Sequence, residues 1–157
     1  MMTLPVDYES DDYQYFKTLN EDVQVLPVSP TAEHWDIQMK NGDYVNVTGK
    51  DSLRNAICIA IMTRFNELDF APLYNGFGCR IHELVKANKS EMIRYKVEVF
   101  TVEVLEQMRR IATVNHVTVI ESDSQSYDIE FNVTSISDET ITGSVTTSLS
   151  SMISHAF

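Results

Sequence analysis

The chain has 157 residues, 43% of them apolar, which suits one buried core and makes a second full domain unexpected. Its formal net charge is -11, with 12 Lys and Arg against 23 Asp and Glu; that argues against a duplex-nucleic-acid binder, which depends on clustered cations, and favours basic partners. No stretch approaches the roughly 20 apolar residues that span a bilayer, and Cys58 and Cys79 are too few for a disulfide framework or a zinc site.

Residues 1–31 read as an extended acidic arm. They carry Asp7, Glu9, Asp11, Asp12, Glu21 and Asp22 with Tyr8, Tyr13, Tyr15 and Phe16, and they show no sustained periodicity. Tyrosines joining apolar area to a polar tip suit a segment that orders on a partner; a strand or loop folded back on the domain fits equally well. The start, MMTLPVDYESDDYQYF, lacks the basic and apolar regions of a secretory signal. Residues 32–157 are expected to form a single α+β domain.

That domain opens with alternation at Trp35, Ile37 and Met39, then Asn41-Gly42, then Tyr44, Val45 and Val47. Asn-Gly supplies both positive-φ positions of a type I′ turn, so a hairpin is expected. An amphipathic helix follows, with Asp51 as its expected N-cap and Leu53, Ile57, Ala60, Ile61, Phe65 and Leu68 on one face. The pattern collapses at Asp69-Phe70-Ala71-Pro72-Leu73-Tyr74-Asn75-Gly76-Phe77-Gly78, an aromatic, Gly-rich connection. A short helix near Arg80 to Ala87 comes next. A third is expected from an N-cap at Ser90 to about Ile111, with Ile93, Val97, Phe100, Val104, Leu105 and Met108 inward.

Beyond Asn115 the period switches to two. One strand covers 116–120; in a second, Tyr127, Ile129, Phe131 and Val133 alternate with Asp128, Glu130, Asn132 and Thr134. A third runs over 140–149 with Ile141, Val145 and Leu149 inward, and its Thr/Ser content marks an edge. The fold expected is thus α+β: an extended arm and hairpin, about three helices, and a C-terminal antiparallel meander.

Catalytic signatures are sparse. His34, His82, His116 and His155 are dispersed, with no metal-ligand spacing, no P-loop and no matched nucleophile, so no metal, cofactor or catalytic residue is expected. Glu67 with Asp69, or Glu83, are the only carboxylates near the loop that a glycosidase pair would use.

The succession Thr63-Arg64-Phe65-Asn66-Glu67, Pro72-Leu73-Tyr74, Phe77-Gly78-Cys79, then Leu105-Glu106-Gln107-Met108-Arg109-Arg110-Ile111 leading to Val114-Asn115-His116-Val117, resembles the baseplate wedge and sheath-initiator family of contractile phage tails and related injection machines, a lysozyme-like baseplate superfamily. The resemblance covers roughly residues 47–136. It departs from the family where Glu67 is followed by Leu68-Asp69 rather than the Pro-Arg of a Glu-Pro-Arg triplet, where Asn66 replaces Gly, and where an insertion separates Tyr74 from Gly78.

The resemblance implies a non-enzymatic structural protein of a virion tail baseplate, assembled in the host cytoplasm in multiple copies, six by family analogy. Its implied partners are the tail sheath protein, baseplate wedge proteins and tube-proximal baseplate proteins, without nucleic acid or membrane. Arg64, Glu67, Pro72, Tyr74, Gly76 and Gly78 would form a wedge-docking loop. The strands carrying Ile129, Phe131, Ile141 and Val145 would face the sheath and template it by strand addition. The alternatives are a lysozyme-like cell-wall hydrolase and a tail protein of a non-contractile particle.

Overall fold

A computed structural model describes residues 21–27, 35–84, 87–122 and 126–148. The chain is α+β; among the described residues, two α-helices pack on one face of a three-stranded antiparallel sheet. The sheet is the meander expected from the alternation: β7 (Ile111–Glu121), β8 (Ser126–Ser135) and β9 (Thr140–Ser148), with β8 central. Tyr127, Ile129, Phe131 and Val133 of β8 are buried, as are Ile141 and Val145 of β9, while Glu130 is exposed. Leu149 lies outside the described residues.

The helices are α1 (Gly49–Met62) and α2 (Glu91–Glu106). The Ser90 hydroxyl caps α2 by accepting from the Ile93 amide at 3.2 Å, and Val97, Val104 and Leu105 enter the core, with Ile93, Phe100 and Met108 packed beside them. Helix α1 departs from expectation at both ends. Its N-cap is Thr48, whose side chain makes no cap bond, and Asp51 instead pairs with Arg54 in the first turn. It stops at Met62, so Phe65 and Leu68 belong to the following loop. The short helix expected near Arg80 to Ala87 is a 3-10 turn, Arg80–Leu84, which buries only Ile81 and Leu84.

Among the described residues the N-terminal side holds three short ribbons rather than one hairpin. The Asn41-Gly42 turn has both residues at positive φ and joins β4 (Met39–Lys40) to β5 (Asp43–Tyr44). Beyond this pair the two strands part, because residues 21–27 take their hydrogen bonds. β1 (Glu21–Val23) pairs with β6 (Asn46–Thr48), and β2 (Val25–Pro27) with β3 (Trp35–Ile37). The ribbons meet in a closed ring of three backbone bonds: Gln24 N–H donates to Val45, Val45 N–H to Gln38, and Gln38 N–H to Gln24, at 2.8, 3.1 and 2.8 Å. Of the arm expected over residues 1–31, the described part, 21–27, is therefore folded back; the rest lies outside the described residues.

Asn55 fastens this assembly to α1. Its side-chain oxygen accepts from Val25 N–H at 2.8 Å, and its Nδ2 donates to the Val23 carbonyl and to Asp22. An asparagine on the buried face of a helix is tolerated because these bonds satisfy its amide.

Candidate functional site

Helix α1 ends because Thr63 turns extended, and its hydroxyl and amide both donate back to the Ile59 carbonyl. The chain then makes a closed loop whose two arms are bonded at the neck. Cys79 N–H donates to Thr63 at 2.8 Å, Phe65 N–H to Cys79 at 3.2 Å, and Asn66 N–H to Phe77 at 2.9 Å. Arg64 and Cys79 form a parallel bridge there.

Side chains reinforce the closure. Asn66, at a φ of +60°, accepts the Gly76 N–H through Oδ1 at 2.8 Å, and Glu67 Oε2 accepts the Arg64 N–H at 3.1 Å. The Arg80 guanidinium stacks 4.7 Å from the Phe65 ring centroid, and Tyr74 meets Phe77 edge to face at 5.8 Å. Gly78 lets the arms touch: its φ is +108°, and a β-carbon there would stand 2.3 Å from the Arg64 carbonyl oxygen.

The expected docking residues divide between two tasks. Arg64, Glu67, Gly76 and Gly78 build the neck through backbone contacts or the bonds above, whereas Pro72 and Tyr74 lie at the exposed tip. Two residues that sequence reasoning missed dominate the tip: Leu73 is 94% exposed and Phe70 80%. Their signal was the Phe-Ala-Pro-Leu-Tyr run inside an aperiodic segment. The closed neck thus carries large apolar side chains to an exposed tip.

Ile129, Phe131, Ile141 and Val145 are at most 2% exposed and point under the helices, so what their strands offer a partner is backbone. The two edges of the sheet differ. β7 is interrupted by irregularities between Ile111 and Thr113 and between Val114 and His116, whereas β9 keeps unbroken register with β8 from Thr140 to Ser148. β9 also contains no charge and no proline. Ser135 N–H donates to Glu139 just before β9, which places the odd-numbered residues of β9 in the ladder with β8. The N–H and C=O groups of Thr142, Ser144 and Thr146 therefore point away from β8. Arg54 Nε donates to the Thr142 carbonyl at 2.8 Å from that side.

Glu67, Asp69 and Glu83 are all exposed, and Glu67 is tied to the loop neck. Burial pushes the Cys58 and Cys79 thiols up to about 11. Among the described residues no group of three or more His, Cys, Asp or Glu is placed to hold a metal ion, and no helix is long and apolar enough to cross a membrane. No protein-family model and no curated protein matches this sequence.

Proposed function

We propose that this protein is a structural component of a contractile-tail baseplate, joining wedge and tube-proximal proteins to the first sheath ring. The observation that carries the reading is the neck-closed loop that holds Phe70 and Leu73 in water at the end of α1. That loop docks on wedge proteins, and β9, which carries no charge of its own and which no other described strand covers, supplies an edge beyond Thr142 to which an arm of the sheath protein adds as a further strand. The resemblance over residues 47–136 supports this assignment; so does the net charge of -11, which suits basic partners. Strand addition joins subunits through backbone bonds and so tolerates variation in side chains. The protein acts in several copies, six by family analogy, in the virion tail after assembly in the host cytoplasm.

The test is cross-linking followed by mass spectrometry on particles carrying the wild-type chain or the double variant Phe70→Asp, Leu73→Asp. Wedge proteins linked to residues 67–79 and sheath protein linked to 140–148 are expected for the wild type. The variant should remain folded and lose the wedge links alone. Recovery of neither partner by the wild-type chain sinks the reading.

A further inference from the structure

Helix α2 carries a second apolar stripe, most of which no other described element covers. Its inner face, Ile93, Val97, Phe100, Val104 and Leu105, packs in the core. Met92, Tyr95, Val99 and Val102 recur at steps of three and four residues on the outer side, so they share one face. Met92 is 63% exposed and Tyr95 62%, Val99 is half-buried below them, and Val102 closes the stripe where it packs partly against the core. One apolar face is enough to dock a helix on a sheet; here the outer positions hold apolar residues where polar ones would serve solubility better.

The rim of this stripe is mostly acidic. Glu91 and Glu98 flank it on one side and Lys96 and Glu103 on the other, with Glu106 at its C-terminal end; Arg94 lies beyond Glu98. Beside it runs a groove of about 320 Å³ between α2 and the loop neck, lined by Phe65, Gly78, Arg80, Phe100, Glu103 and Gln107. Glu103 borders both, so stripe and groove form one surface, with half-buried Phe65 and Phe100 able to receive an anchoring side chain.

We propose that this surface binds an amphipathic helix of another protein, one whose apolar stripe is flanked by lysine and arginine. The spacing of Met92, Tyr95, Val99 and Val102 follows the pitch of a helix, which a partner helix matches by interleaving its own side chains. The glutamates select the sign of the partner's flanks. A second copy of this chain fits poorly, because a twofold contact sets the same acidic rim against itself. The inference goes beyond the baseplate reading and does not depend on it, since the tip residues Phe70 and Leu73 take no part.

The test uses two fluorescent helical peptides of about 18 residues. Both carry leucine at alternating three- and four-residue steps, one with arginine on both flanks and its twin with glutamate. Each is titrated against the full chain by anisotropy at low and physiological salt. The arginine peptide is expected to bind at least about tenfold more tightly than its twin and to weaken as salt rises. Tyr95→Glu, on an exposed position, should reduce binding by about tenfold or more, while Leu73→Asp leaves it unchanged. Equal binding of the twins, no binding of the arginine peptide, or indifference to Tyr95→Glu overturns the proposal. So does a dimer in sedimentation that Tyr95→Glu disperses, which would assign the stripe to a second copy.

Discussion

The α-carbon of Gly78 rests against the backbone of Arg64, leaving no room for a side chain: a β-carbon would meet the Arg64 carbonyl oxygen at 2.3 Å and its carbon at 2.6 Å. The obstacle is main chain, which cannot rotate away as a side-chain tip would. At Gly76 φ is also positive, +81°, yet nothing lies within 4 Å of the same construction. The two glycines of one loop therefore answer to different constraints, one to conformation alone and the other to conformation and contact.

Substitution separates them. Gly76→Ala should cost ~1 kcal/mol, the usual penalty for a left-handed L-residue. Gly78→Val should cost at least ~2 kcal/mol, because strain at φ +108° combines with overlap at the neck. Urea unfolding of both variants measures the difference, and equal losses would refute the close approach.

Asn55 offers a second handle, since one side chain holds residues 21–27 on α1. Asn55→Leu keeps the volume and leaves the Val25 N–H and Val23 carbonyl without their partner, so a loss of ~1–3 kcal/mol is expected. Hydrogen exchange should show the Val25 amide and the three-ribbon ring losing protection while β8 keeps its own. Uniform loss across β8 would mean that Asn55 supports the whole fold.

Several of these features were legible in the chain. Ser90, Asn41-Gly42 and the alternation from Tyr127 to Val133 act through neighbours in sequence, and each did what its local chemistry dictates. The end of α1 was not legible: Phe65 and Leu68 keep helical spacing, but the bond from the Cys79 amide to the Thr63 carbonyl belongs to the loop closure and has no local signature. The hairpin was half legible, because nothing in Trp35 to Val47 reveals that residues 21–27 intervene. Within the candidate site, Pro72, Tyr74 and the glycines drew notice by residue type. Phe70 and Leu73 stayed hidden because their exposure is decided by the closure of the whole loop.

His82 makes stability pH-dependent. Burial is the main force holding its pKa below the ordinary 6.5; the nearby Arg64 acts the same way, while the bond from its Nε2 to the Ile61 carbonyl and the charge of Glu67 oppose them. Below about pH 6.5 the unfolded chain takes up a proton that the folded chain resists, so stability falls as pH drops and this contribution is fully present only above that range. His82→Gln, which keeps a donor near Ile61, should flatten the profile between about pH 5 and 7 relative to wild type. Parallel profiles for the two proteins would remove His82 as the cause.

The β9 edge allows the ladder to be tested separately from the strand it is proposed to receive. Ser144 directs its N–H away from β8, whereas Val145, paired with Ile129, directs its own into the ladder and its side chain into the core. Proline at an outward position of an edge strand removes only an open donor, so Ser144→Pro should leave stability within ~1 kcal/mol of wild type. Val145→Pro should cost ~3 kcal/mol or more through the lost ladder bond and core packing. If sheath arms add to β9, Ser144→Pro particles keep the protein in the baseplate but fail to nucleate sheath, as electron micrographs would show by bare tubes on intact baseplates. Sheath of normal length on Ser144→Pro particles would rule out strand addition at this edge and leave the loop tip as the assembly contact.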